Sequence, residues 1–396
     1  MADILRLTLS FLLIVVLLRM KMKIGYVMLM AAGFLSLSAW MSPYEVGRAV
    51  YVSLTDPVTV ELIAALWLIR MFEMVLREHD ILGEMMAAAG ALTPSRRAAI
   101  VSMPLLIGTL PSVGGAYFSA PMVEAATRGE EMPPEEKGFV NYWYRHPWEY
   151  VLPLYPGILL AAALSGIALR DLILANLVFA GVMAASGFAV SMRNVRGKEG
   201  GRGREAGRKR LASFLPIGGV LLLVIAFRME LYMAILVVLA ALFLFYRYGW
   251  KDLARTLRYG ISWEVAVLIG GVMLFKGVMQ ASGAVENLSA YAAAQGVPLL
   301  PTLFFLPLAT GLLTGLTIGF VGSTFPLLAS LAGGGSLGAV ALAFAAGFTG
   351  VLFSPVHVCL VLTREYFAAD MAGIYRRMLL PAALVLAAAF ALYFLL

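Results

Sequence analysis

The sequence predicts an all-α polytopic membrane protein of about ten transmembrane helices plus two re-entrant helical hairpins, arranged as two inverted-topology repeats. Three observations lead there. Hydrophobic residues make up 61% of the 396 and charged residues only 13%, whereas soluble domains carry about 45–50% and about 25%. Apolar stretches long enough to cross about 30 Å of hydrocarbon recur from end to end. Lysines and arginines also collect in alternate loops, as they do on the cytoplasmic side of membrane proteins. The net charge of +7 is therefore a topology signal, and no nucleic-acid partner is expected.

The first expected span is 3–18. Arg19, Lys21 and Lys23 follow it where a signal peptide would have a small-residue cleavage site, so the span is expected to be retained. Further spans are expected over 24–40, 58–76, 138–168, 171–192, 211–227, 230–247, 262–282, 338–368 and 375–396. The stretches 99–127 and 299–332 are each too long for one crossing. Divided in two, the halves of the first reach only about 20 Å at 1.5 Å per residue, which with their Gly and Pro content favours hairpins that enter and leave on one side. On this layout 23 of the 30 Lys and Arg residues share a side, including the run RGKEGGRGREAGRKR, while Arg6, Arg48, Arg170 and Arg228 face the other. The richer side is assigned to the cytoplasm and both termini to the outside.

Each half then holds three spans, a hairpin, an overlong span and a last span. The first repeat is 1–192, with scaffold spans in 1–98 and the hairpin and broken helix in 99–168. A basic cytoplasmic linker, 193–210, leads to the second repeat, 211–396, with scaffold spans in 211–298 and hairpin and broken helix in 299–368. An odd number of crossings per half turns the second copy upside down. One common spacing pairs Glu61 with Glu264, Pro104 with Pro307 and Gly108 with Gly311.

The candidate chemistry lies at the interruptions. Ser112, Gly114 and Gly115 sit at the turn of the first hairpin, and Thr317, Gly319 and Ser323 in the second. An unpaired backbone group in hydrocarbon costs several kcal/mol, so such turns persist only where protein or a polar cavity satisfies them. Their N–H ends suit an anion and their carbonyls a cation such as sodium; close helix packing through small residues is the alternative. Proline removes an N–H and clashes with the preceding turn, so breaks are expected near Pro147 and at Ser354–Pro355. Around them lie Arg145, His146 and Glu149 in YWYRHPWEY and His357 in FSPVHVC. Arg145 can hold a carboxylate or phosphate bidentately, or pair with Glu149 one turn on. His146, Glu149 and His357 can exchange protons, or each histidine can be held neutral by a carbonyl. Glu73 and Lys276 are expected to bridge the repeats. The single cysteine, Cys359, leaves no intramolecular disulfide and no Cys-based cluster. No HExxH, nucleophile–base pair or GxxxxGK[ST] occurs, so neither a metal, ATP nor an enzymatic activity is expected.

This order of elements resembles the ion-transporter superfamily, which includes dicarboxylate, citrate, gluconate and lactate carriers and arsenite pumps. The segment LPSVGGAYFSAPMVEAA is similar to an uncharacterised prokaryotic family of unknown function within it. The resemblance implies a mobile transport domain built from 99–168 and 299–368, on a scaffold that forms a homodimer. Dicarboxylate relatives carry Ser-Asn-Thr at hairpin tips; here Ser112 and Thr317 are the nearest polar residues and no SNT occurs. That departure counts against dicarboxylate and sodium and favours protons. The expected function is secondary active transport of a small anion by an elevator mechanism in the inner membrane, proton- or sodium-coupled, with no cofactor beyond that coupling ion. Ser112, Gly114, Gly115, Arg145, Thr317, Gly319, Ser323 and Ser354 would bind substrate; His146, Glu149 and His357 would couple. The alternatives are a translocase for a phosphorylated lipid carrier and, further off, a membrane-embedded enzyme.

Overall fold

A computed structural model describes residues 2–92, 95–111, 115–192, 195, 210–284, 287, 296, 298–331 and 336–396. Among these the chain is helical and without strands. Four helical stretches, Leu169–Ser191, Trp250–Ala281, Leu337–Phe367 and Met371–Leu395, are long and apolar enough to cross a membrane. Many further helices are apolar but shorter, the composition of a polytopic membrane protein.

The first half runs α1 (Ala2–Arg19), α2 (Ile24–Ser38), α3 (Pro43–Thr55), α4 (Pro57–Glu78), α5 (Ile81–Leu92), α6 (Arg96–Ile107), α7 (Gly115–Ala126), α8 (Pro134–Trp143), α9 (Pro156–Ser165) and α10 (Leu169–Ser191). The second runs α11 (Leu215–Ile225), α12 (Leu231–Phe245), α13 (Trp250–Gly260), α14 (Trp263–Ala281), α15 (Leu299–Thr314), α16 (Thr317–Leu331), α17 (Leu337–Phe353), α18 (Val358–Phe367) and α19 (Met371–Leu395). Of the basic linker 193–210, only Val195 and Arg210 fall among the described residues.

The helix boundaries follow local chemistry. Ser42 and Glu45 form a reciprocal capping box that starts α3, and the Asp56 carboxylate accepts from Val58 N–H to start α4. Helices α3 and α13 were not among the expected spans. Both are too polar for the hydropathy count: α3 buries only Ala49 and Ser53, and α13 carries Lys251, Asp252, Arg255 and Arg258 and buries only Thr256 and Gly260. The overlong segments do break. The first is divided into α8 and α9, with a single 3-10 turn over Pro147–Tyr150 between them. The second is divided into α17 and α18 by residues 354–357.

Among the described residues, four contacts between the halves have matching counterparts, while those of α1 on α15 and α16 and of α2 on α16 do not. Helix α2 packs on α14 and α12 on α4; α3 packs on α14 and α13 on α4; α16 packs on α9 and α7 on α18; α10 packs on α17 and α19 on α8. The α2–α14 approach is backbone to backbone. A Cβ on Gly25 would lie 2.7 Å from the Val267 carbonyl, and one on Gly271 2.4 Å from Gly25 O. Helix α17 is the centre of the molecule, buried at every residue from Gly338 to Leu352. The expected Glu73–Lys276 bridge is not formed. Glu73 accepts from Arg77 at 2.6 Å, whereas Lys276 reaches the Ala163 carbonyl at 3.4 Å, because a bond one turn along the same helix needs no reach across the interface.

Candidate functional site

The site forms where two helix breaks and a hairpin tip meet. The tip follows from glycine: α15 ends on Gly315 at φ +64°, a left-handed turn open to glycine at little cost, and α16 starts two residues later at Thr317. On the other hairpin, Arg96 donates to the Arg128 carbonyl, so the outer ends of α6 and α7 lie together. Its tip residues Ser112 and Gly114 lie outside the described residues, and Gly115 opens α7.

Both helix pairs seat on the broken segments through glycine. A Cβ on Gly108 would fall 2.1 Å from the Arg145 carbonyl, and one on Gly311 2.1 Å from the Gly347 carbonyl. Carbonyls freed near the breaks and tips find partners. Asn176 Nδ2 donates to Tyr150 O at 3.0 Å, Trp148 Nε1 to Leu105 O at 2.7 Å, and Tyr155 Oη to Gly108 O at 2.5 Å. These bonds meet the requirement that irregular backbone away from water be satisfied by protein.

The ionisable residues converge here. His146 Nε2 lies 3.2 Å from His357 Nε2, joining the two breaks directly. Each ring is anchored by its other nitrogen, His146 Nδ1 on Tyr142 O at 2.6 Å and His357 Nδ1 on Gly315 O at 2.8 Å. Thr317 at the tip donates to Glu149 Oε2 at 2.9 Å, and Glu149 Oε1 stands 3.8 Å from His146 Nε2. Arg145 donates to Cys359 Sγ at 2.9 Å. Arg145 is 3% exposed, His146 0%, and Glu149 and His357 9% each, so the cluster is largely buried. Such a buried set of charges is expensive and sits by preference at functional places in membrane proteins.

Several expected residues take different positions. Ser323 donates to Gly319 O at 2.7 Å inside its own helix. Ser354 is buried at the second break, its hydroxyl without a hydrogen-bond partner among the described residues. A Cβ on Gly315 would lie 2.9 Å from that oxygen. Gly319 stands one turn past the tip, against Thr314. Sequence reasoning passed over Cys359, whose sulfur lies with His146 and His357 in one group of atoms all within 4.8 Å of one another. The H-x-C spacing at 357–359 was visible, but its meaning depends on His146, far away in sequence. A second omission is Asn141, whose Nδ2 donates to Thr363 Oγ1 at 3.0 Å and ties α8 to α18 beside the cluster.

The chain belongs to the family described as "Protein of unknown function (DUF401)", which matches residues 4–396. No curated protein matches it.

Proposed function

We propose that this member of the DUF401 family is a secondary active transporter of a small anion, driven by a sodium or proton gradient and working by an elevator-type exchange of access. The observation that carries the reading is the occluded contact of both helix breaks with a hairpin tip, through the His146–His357 and Thr317–Glu149 pairs. Ionisable groups at membrane depth mark substrate and ion pathways, and broken helices meeting at a repeat interface are the recurring plan of secondary transporters.

The supporting architecture is a pair of inverted repeats, 1–192 and 211–396, with about ten crossings and two re-entrant hairpins. Helices α6 and α7 have 12 residues each, about 18 Å of rise, too little to cross the hydrocarbon. The matched contacts between halves, and the equivalent seating of Gly108 and Gly311, are what a two-fold relation requires. In this reading 99–168 and 299–368 move as one body against the other spans, which hold a homodimer in the cell membrane with 193–210 in the cytoplasm.

Arg145 neutralises the anion; Ser354 and the first hairpin tip at Ser112, Gly114 and Gly115 supply donors, joined by Thr317 when its hydroxyl turns from Glu149 to the substrate. The coupling ion enters the same chamber, where Glu149, His146 and His357 stand. A thermal-shift screen of the purified protein against small carboxylates and oxyanions, with and without sodium, identifies the ligand, because a molecule that binds only the folded form raises its melting temperature. Uptake of that ligand into proteoliposomes then tests the site. Arg145→Gln should reduce uptake roughly 10–100-fold, the loss of a charge-assisted pair worth about 1.5–3 kcal/mol; unchanged uptake removes Arg145 from the mechanism. Replacing sodium with choline identifies the driving ion. Stabilisation by a polyprenyl phosphate and by no soluble anion would replace the carrier with a lipid translocase.

A further inference from the structure

We infer that His146, His357 and Cys359 form a binding site for a zinc-like divalent metal ion between the two broken helices. The argument begins with where the imidazole protons must be. Each Nδ1 faces a backbone carbonyl, at 2.6 Å for His146 and 2.8 Å for His357. A carbonyl only accepts, so each Nδ1 carries the hydrogen. Both Nε2 atoms are then acceptors, and they face each other at 3.2 Å. Two lone pairs at that separation repel unless a positive centre lies between them.

A metal ion fits that position. Zinc binds imidazole nitrogen at about 2.0–2.1 Å in a tetrahedral arrangement, which separates two such nitrogens by roughly 3.3 Å. The carbonyl-bound Nδ1–H of both rings is also the outer support that ligating histidines ordinarily have, fixing tautomer and ring orientation. Cys359 Sγ belongs to the same group, its sulfur and one nitrogen of each ring lying within 4.8 Å of one another, so a small movement of the side chain brings it to a bond near 2.3 Å. Two imidazoles and a thiolate suit zinc, cobalt or copper and not magnesium or calcium.

Charge also balances. On binding, the Cys359 thiol gives up its proton to solvent and its sulfur pair to the metal. Arg145, which already donates to that sulfur at 2.9 Å, stabilises the thiolate. The ion, the thiolate, Arg145 and Glu149 together carry one net positive charge. Three protein ligands leave a fourth position open, and Glu149 Oε1 stands 3.8 Å from His146 Nε2, a further donor at the same place. Because His146 comes from one break and His357 and Cys359 from the other, the ion would clamp the two together. The site stands on local geometry and does not depend on transport.

The test uses the full chain in detergent, stripped with a chelator and titrated with cobalt(II). One equivalent should produce the intense visible bands of tetrahedral cobalt and an ultraviolet thiolate-to-cobalt band, both abolished by zinc. Cys359→Ser should remove the ultraviolet band, and His357→Gln should weaken binding by at least the roughly 10–100-fold typical of losing a mere supporting contact. Zinc, but not magnesium, should raise the melting temperature of the wild-type protein, a readout that does not require the variants to fold. Absence of cobalt bands and of a zinc-specific shift overturns the proposal, leaving a shared proton between the rings. Bands that persist unchanged in both variants overturn it equally, since the ion then binds elsewhere. Neither outcome bears on whether the protein moves an anion.

Discussion

At the scale of single residues, Thr317 is the most exposed to test. Its hydroxyl donates to Glu149 Oε2 at 2.9 Å, and its methyl group lies where a Cβ on Gly157 would fall, 2.4 Å away. Thr317→Val keeps the shape and removes the donor from a buried carboxyl group. An unsatisfied buried acceptor costs about 1–3 kcal/mol, so thermal unfolding in detergent should show a lower melting temperature for Thr317→Val and near wild-type stability for Thr317→Ser. Equal stability of the two variants would mean that the bond contributes nothing. Arg145, His146, Glu149, His357 and Thr317 were legible in the sequence because ionisable and polar groups stand out against an apolar background at membrane depth. The hydroxyl of Ser323 was not legible in the same way: a serine inside a helix can bond the carbonyl one turn back, and linear sequence does not say which way the hydroxyl turns. Cys359 was missed because its importance depends on side chains brought together only by folding.

At the scale of elements, glycine decides how closely the helices approach. Gly311 lets α15 lie against α17, where a Cβ would meet the Gly347 carbonyl at 2.1 Å; Gly350 makes the reciprocal contact, 2.1 Å from Leu308 O. Gly33 in α2 has nothing within 4 Å. The same substitution should therefore act in opposite directions. Gly311→Ala forces the two helices apart at a cost of about 1–3 kcal/mol, while Gly33→Ala, an unobstructed helix position, should leave stability unchanged or raise it by about 0.5–1 kcal/mol. Melting temperatures of the two variants beside wild type check the contrast, and a loss at both positions would show that glycine serves chain flexibility and not packing. The breaks after Trp143 and Phe353 were foreseeable, because proline inside an overlong apolar run has one local consequence. Helices α3 and α13 were not, because their polar and charged residues lower a hydropathy average taken over the length of a span.

At the scale of the whole molecule, the proposed inverted arrangement rests on parity. If each half crosses the bilayer an odd number of times, the second lies upside down, and the pairs α2–α14 with α12–α4 and α16–α9 with α7–α18 become one set of contacts made twice. Helix α12 is the weak point in that count. It has 15 residues, about 22 Å of rise, less than the hydrocarbon thickness, so it crosses only if flanking residues complete the passage or the bilayer thins around it. Glu230 and Lys251 lie exposed just before and just after it, on opposite sides if it crosses. Cys359 is buried, so it contributes little background to cysteine labelling. Glu230→Cys should react with a membrane-impermeant maleimide in intact cells, and Lys251→Cys only after the cells are opened, as the positive-inside rule demands of the side carrying Arg247, Lys251, Arg255 and Arg258. The reversed pattern would invert the whole topology and leave the repeats intact. Labelling of both from one side would mean that α12 does not cross, making the count for the second half even; the spans after α12 would then run in the same direction as their counterparts in the first half, and the matched contacts would need an explanation other than an inverted repeat.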